Sequence, residues 1–290
     1  MPSALLVGPG SMLGGRLKER LILLGWDVTT AGRSLECNIF MDLEHLTLDQ
    51  DFDVEADVLF HCAGAFGNDS PQGCWLNEKV NSLGSHQVAA LARMAGCKQI
   101  VYAGTVFSIY ENEPRALNSY GASKARAEDI LSWWSHRNGQ IFTSLRFAQL
   151  YDERGACVRH QPWFGRIISY ARRGLMLRLP PGDTARNFIH VRDAVESMIF
   201  AAIRGVDGIM AITHPVAVSY GDIAKQAYEV FGCGGEIVIA PEKEPFREFF
   251  FPEVDVRVMP LSSNFLSMSE GLITVRDGGY ADQFEVFDVS

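Results

Sequence analysis

The chain has 290 residues, 47% of them apolar and 21% charged, with a formal net charge of −9. That profile excludes a disordered, collagen-like or disulfide-scaffolded chain and leaves room for one large or two small domains. It offers no apolar run of the roughly 18 residues a membrane helix needs, no secretory signal and no Lys/Arg block longer than Arg172-Arg173. The chain is therefore read as cytoplasmic, with no membrane and no nucleic-acid partner. Six cysteines, at positions 37, 62, 74, 97, 157 and 233, form no CxxC pair. They read as reduced packing thiols, and the lone Cys157-Val-Arg-His160 spacing predicts no metal site.

Residues 4–7 form a short apolar strand that runs into glycines. Leu13, Leu17, Leu21 and Leu24 then recur at helical spacing until Gly25. Further strands are predicted at 28–31, 58–61, 100–103 and 142–145, with helices at 73–95 and 119–137. Strands separated by helix-length segments predict an α/β fold, a Rossmann-type doubly wound parallel sheet. Beyond residue 150 the pattern loosens into helices at 162–173, 193–204 and 220–231 and a strand at 209–213, and no clear periodicity follows Pro241. Two parts are expected. Residues 1–150 form a dinucleotide-binding domain to which 185–213 return; residues 151–185 and 214–290 form a small α/β substrate-binding lobe over the carboxyl ends of the strands.

The first turn reads Gly8-Pro9-Gly10-Ser11-Met12-Leu13-Gly14-Gly15. It follows a strand and opens a helix, the context in which small residues let the backbone approach a pyrophosphate while unpaired N–H groups offer partial positive charge. Gly8, Gly10, Ser11, Met12, Leu13 and Gly14 are thus cofactor-binding candidates. The second strand ends Ala31-Gly32-Arg33-Ser34 without a carboxylate. Arg33 and Ser34 suit a ribose 2′-phosphate, so NADP(H) is favoured over NAD(H), a solvated turn being the alternative. Asp42, with Leu43 beside it, is placed to meet the adenine edge or to cap a helix.

Tyr120-Gly121-Ala122-Ser123-Lys124 puts a phenol and an ammonium one helical turn apart. A tyrosine with its usual pKa of about 10 is a poor base at neutral pH, and a neighbouring cation favours the phenolate. Thr105, just past the strand at 100–103, offers a hydroxyl to a substrate oxygen.

These motifs, together with Val58-Leu-Phe-His-Cys-Ala-Gly64, Val80-Asn81, Val101-Tyr-Ala-Gly-Thr105, Leu145-Arg-Phe147 and Arg186-Asn-Phe-Ile-His-Val-Arg-Asp193, occur in the order of the extended short-chain dehydrogenases/reductases. The chain resembles the NAD-dependent epimerase/dehydratase group that acts on nucleotide sugars, over roughly residues 4 to 215. The resemblance implies a triad of Thr105, Tyr120 and Lys124, with Tyr120 as acid/base and Lys124 as its tuner and ribose anchor. It implies cofactor contacts from Cys62, Ala63, Gly64 and Asn81, and a nucleotide-sugar diphosphate on Arg186, a salt bridge to Asp183 or Asp193 being the alternative. It also implies a homodimer through the helices near 73–95 and 119–137.

Five positions depart from the family pattern. Ser11 replaces the middle glycine, Gln149 and Asp152 replace an expected Asn and Gly near the substrate pocket, and Val106-Phe107 replaces the Asp-Glu pair of the dehydratases. The last disfavours dehydration. The expected function is NADPH-dependent reduction of a keto group on a nucleotide-linked sugar of the 4-keto-6-deoxy type. The alternatives are an NAD-dependent nucleotide-sugar epimerase and a non-catalytic NADP-binding sensor. Trp133 and Trp134, as neighbours on one helix, are expected to face core and surface separately, and the cluster of aromatics at 245–252 to pack the small lobe.

Overall fold

A computed structural model of the protein describes residues 1–45, 53–109, 118–249, 251 and 265–284. It divides into two compact units: Met1–Phe147 with Ala194–Ile212, and Ala148–Asp193 with Thr213–Ser290.

The first unit is built on β1 (Ser3–Val7), β2 (Asp27–Gly32), β3 (Ile39–Phe40), β4 (Val58–His61), β5 (Gln99–Thr105), β6 (Ile141–Phe147) and β10 (Gly208–Ile212). The seven strands pair in parallel in the order β10-β6-β5-β4-β1-β2-β3. This is the doubly wound sheet that the alternation of segments predicts, and it reverses direction between β1 and β4. Strands covered on both faces read as continuous apolar runs. Leu5, Leu6, Leu59, Phe60, Ile100 and Val101 are all fully buried. Helix α1 (Met12–Leu23) meets the sheet through Leu13, Leu17 and Leu21, a stripe at i, i+4 and i+8. The segment predicted as one helix at 73–95 is α2 (Pro71–Asn77), a π-helical turn (Glu78–Leu83) and α3 (Gly84–Met94). Helix α4 spans Ser119–Arg137, the bounds expected from the sequence.

Several polar side chains inside this core are paired. Glu128 on α4 is buried and takes Arg146 Nε at 3.0 Å and Nη2 at 2.6 Å, and Ser144 Oγ at 2.6 Å. Gln99 Nε2 donates to Thr143 Oγ1 at 2.8 Å and to the carbonyls of Ala201 and Val206, tying β5 to β6 and to helix α6 (Val191–Arg204). Trp134 packs on the core and donates from Nε1 to His86 Nδ1 at 3.1 Å, while Trp133 is 57% exposed.

The second unit carries two short parallel pairs, β7 (Gln149–Tyr151) with β9 (Phe188–His190) and β8 (Leu177–Leu179) with β11 (Ile237–Ile239). They are accompanied by α5 (Pro162–Ala171), α7 (Tyr220–Phe231) and α8 (Met268–Asp277). Asp152 is a buried carboxylate that accepts the N–H groups of Arg154, Ala156 and Cys157. The charge thus closes the turn after β7 where a glycine was expected. Gln149 is buried and donates to Gln161 Oε1 at 3.0 Å. Phe246 packs edge-on against Trp163 and against Tyr220; Phe250 and Pro252 of the same aromatic cluster lie outside the described residues. No helix among the described residues is long and apolar enough to cross a membrane.

Leu59 is fully buried at the centre of the sheet. Leu59→Ala should destabilise the protein by about 2–5 kcal/mol, read as a lower urea midpoint with unchanged m-value.

Candidate functional site

The reversal between β1 and β4 opens a crevice at the carboxyl ends of the strands, and the glycine turn lies there. Gly8 has φ +86°, and a Cβ on it would lie 2.5 Å from Ala63 N, so only glycine brings the turn against the Cys62–Gly64 segment. Ser11 caps α1: its Oγ accepts Gly14 N–H at 3.0 Å and donates to Gly8 O at 3.0 Å. The serine that departs from the glycine pattern therefore stitches the turn to the helix it opens. The amides of Met12 and Leu13 carry no hydrogen bond among the described residues. Beside them Gly10 has open space where a side chain would stand. Open amides at a helix amino terminus, backed by glycine, fit a dinucleotide pyrophosphate.

At the end of β2, Arg33 and Ser34 are exposed, and Ser34 Oγ accepts Glu36 N–H. Asp42 accepts Glu44 N–H and pairs with His45 Nδ1 at 2.9 Å. Burial opposes its ionisation, but the His45 and Glu44 hydrogen bonds and the Arg33 charge hold its carboxyl below the ordinary range. The Arg33 charge is the weakest of these influences, and its guanidinium forms no ion pair with Asp42. Leu43 is buried, with Gly84 of α3 close against it.

Helix α4 begins with Asn118, whose Oδ1 accepts Gly121 N–H. A Cβ at Gly121 would overlap the Phe107 carbonyl, so this glycine lets the helix abut the turn Val106–Ser108 that follows β5. Ser108 Oγ donates to Gly121 O at 3.2 Å. In this way the turn that begins at Thr105 and the start of the helix that carries Tyr120 are brought together. Thr105 is buried, and its Oγ1 accepts Phe107 N–H at 3.3 Å, leaving its own hydrogen to donate.

Lys124 is buried, with Nζ over the Tyr102 ring at 4.2 Å and 3.8 Å from where a Gly64 Cβ would stand. Burial pushes its ammonium down to about 8, against the opposing field of Glu128. Its charge helps burial to hold His61 neutral, down to about 3. The Tyr120 phenol is pushed up to about 12 by burial. The lysine thus sits on the Tyr102 ring face and does not offset the desolvation of Tyr120, unlike the tuning expected from the four-residue spacing. Asn81 is buried and donates to Ser123 Oγ and Ala65 O while accepting Ala65 N–H, so its hydrogen bonds are spent on the fold.

Two residues that the sequence reading passed over stand here. Phe66 packs its ring on Tyr120 at 4.4 Å, and Asn77 holds the loop bearing Phe66. A second asparagine four residues before Asn81 was the only signal available.

In the second unit Arg186 is buried with its guanidinium over Tyr220 at 4.8 Å, Phe249 at 5.2 Å and Phe246 at 5.6 Å. Nη2 donates to Arg247 O at 2.7 Å. Neither expected acid pairs with it: Asp183 accepts the amides of Tyr220 and Gly221, and Asp193 takes Leu266 N–H and Arg192. Among the described residues no group of His, Cys, Asp and Glu is arranged to hold a metal.

A sequence profile described as the NAD dependent epimerase/dehydratase family matches residues 4–211. A Methanocaldococcus jannaschii protein, provisionally assigned as a UDP-glucose 4-epimerase, is 22% identical over 224 residues, 68% of this chain and 72% of its own. The solved UDP-N-acetylglucosamine 4-epimerase of Bacillus cereus superposes with a TM-score of 0.78 at 19% identity, covering 96% of this chain and 97% of its own. Bordetella bronchiseptica WbmF, solved with NAD+ and UDP, gives 0.74 at 22% identity over 98% and 95%.

The buried ammonium carries a pH signature. Its pKa falls from 10.5 to about 8 on folding, so between those values the unfolded chain binds more protons and stability rises with pH. Below pH 8 the buried cation costs on the order of 3 kcal/mol. Lys124→Met should therefore be the more stable protein at pH 7, and urea titrations should show its advantage shrinking as pH climbs from 8 toward 10.5.

Proposed function

The chain belongs to the NAD dependent epimerase/dehydratase family, and from that membership we propose that it epimerises a nucleotide-linked sugar with NAD as its resident cofactor. Membership makes it an enzyme working with a nicotinamide dinucleotide. The juxtaposition that carries the reading lies in the first unit: the open amides of α1, the Ala63–Gly64 segment packed on Gly8, and Lys124 beside Gly64.

In this reading Gly8, Gly10, Ser11, Met12, Leu13 and Gly14 hold the pyrophosphate, Asp42 and Leu43 the adenosine end, and Cys62, Ala63, Gly64 and Asn81 the inner wall. Bound NAD supplies a hydride acceptor that also returns the hydride. Tyr120 Oη takes the proton from a sugar hydroxyl as that carbon is oxidised and gives it back when the carbon is reduced from its other face. Thr105 donates to the same sugar oxygen. Lys124, beside Gly64, is available to a cofactor ribose, and only on moving toward the phenol would its charge favour the deprotonated form that the oxidation half needs. Arg186, planar and permanently charged, is the proposed anchor for the substrate diphosphate, with Gln149 in the same unit lining the substrate pocket.

Solved neighbours of this chain include UDP-sugar 4-epimerases and proteins holding NAD, which supports epimerisation over ketoreduction and NAD over NADP. The second reading, NADPH-dependent ketoreduction, rests on exposed Arg33 and Ser34 at a strand end without its own acid. The nucleotide released on denaturing the purified protein separates them: NAD supports the epimerase, whereas an empty protein that takes up NADPH supports the reductase.

Tyr120→Phe should abolish interconversion of UDP-sugars, followed by NMR of the anomeric protons, with NAD binding retained by calorimetry. Retained turnover overturns the assignment. A homodimer through α2, α3 and α4 is part of the same proposal, because Trp75, Leu83 and Trp133 are exposed at 64%, 44% and 57%. Trp133→Glu with Trp75→Glu should convert a dimer to a monomer by light scattering.

A further inference from the structure

Phe66 is 52% exposed, yet its ring sits 4.4 Å from that of Tyr120 at an interplanar angle of 50°. Its backbone is pinned on both sides. Asn81 accepts Ala65 N–H at 2.7 Å and donates to Ala65 O at 2.9 Å; Asn77 accepts Gly67 N–H at 2.7 Å and donates to Gly67 O at 3.0 Å. Each asparagine spends its second amide hydrogen on helix α4, Asn81 on Ser123 Oγ and Asn77 on Ser119 Oγ, both at 2.9 Å. Ser119 immediately precedes Tyr120, and Ser123 Oγ donates to Tyr120 O at 2.8 Å. The two clips therefore fix the Phe66 loop and the Tyr120 backbone to one element.

Asn77 is fully buried inside a helix, where asparagine is a poor helix former and an unpaired amide would be costly. All the polar groups of its side chain are engaged. The helix then widens into the π-helical turn Glu78–Leu83, which carries Asn81. A half-exposed phenylalanine gains little for the fold. Its place on the phenol gives it a use.

We propose that Phe66 is a positioning residue for Tyr120, covering one face of the phenol against water, and that Asn77 is the pin that holds it there. The proposal rests on Tyr120 being the acid/base of the reaction. The phenol stands high because it is desolvated, and the ring packed on it is Phe66. Among the described residues the charged and titratable groups around it are Tyr102 on β5, Lys124 on its own helix, Asp69 on the Phe66 loop and, farther out, Glu128, His61 and Cys62. None of these changes when Phe66 is shortened, so a shift in the phenol would report solvent access.

The test titrates ligand-free protein by phenolate ultraviolet absorbance, Tyr120→Phe identifying the signal, and sets it against the pH profile of UDP-sugar turnover with NAD. Phe66→Ala should lower the Tyr120 midpoint by roughly one unit, since water restores the phenolate. Phe66→Leu should restore part of the shift. Asn77→Ala should move it in the same direction, and Phe66→Ala should add nothing in the Asn77→Ala background. Ser119→Ala, which removes one bond of the pin, gives a smaller shift if Asn77→Ala fails to fold. An unchanged midpoint in Phe66→Ala overturns the proposal, and a full shift in Phe66→Leu overturns the role of the ring. A midpoint that moves while the pH limb of turnover stays still overturns Tyr120 as the acid/base, a failure of the proposed function and not of the shield.

Discussion

The approach of Gly8 to Ala63 is the constraint on which the rest of the first unit depends. A doubly wound sheet opens a crevice wherever its strand order reverses, but the crevice is useful only if the first turn and the segment after β4 lie close enough to share one ligand. Here a single Cβ would force them apart. With the turn seated, the amides of Met12 and Leu13 face outward from a helix end, and Gly64 comes within reach of Lys124. A binding feature at one side of the reversal and a chemical feature at the other are thereby joined through three small residues.

The lysine then meets a conflict that the sequence spacing does not display. An ammonium taken out of water needs a partner, and the obvious carboxylate, Glu128, is already held by Arg146 and Ser144. What is left is the face of the Tyr102 ring and the field of that engaged carboxylate, which together keep a depressed but usable cation. Tyr120, meanwhile, is buried without relief. Both groups thus sit away from their solution values in opposite senses. A ligand that brought the phenol and the ammonium together would lower the cost of charge on each.

Legibility followed the length and regularity of the pattern. Helix α1 and the strands of the first unit could be read because their apolar residues repeat over whole elements, and the glycine turn because its neighbours in sequence are also its neighbours in space. β3, β7, β8, β9 and β11 span two or three residues, too few for any period, and α8 is announced mainly by its Ser267–Glu270 capping box. Asn77 and Phe66 escaped for another reason. Their meaning lies in partners 42 and 54 positions along the chain, Ser119 and Tyr120, and nothing in local sequence marks an asparagine as a clip rather than a helix surface residue. Asp152 was legible only as a departure; its use, closing a turn with three amides, needed coordinates.

The second unit shows how a protein of net charge −9 can keep a cation ready for an anion. A guanidinium paired with a carboxylate has little attraction left for phosphate, and a fully hydrated one is not preorganised. Arg186 follows neither course. Aromatic rings of Tyr220, Phe246 and Phe249 lie against its plane, exclude water and supply a weak attraction, while one N–H is fixed on a backbone carbonyl. Asp183, one acid expected to quench it, is instead committed to the first amides of α7. The charge is therefore held in place by groups that carry no net charge, and its field remains available at the edge of the plane, where a diphosphate would present its oxygens.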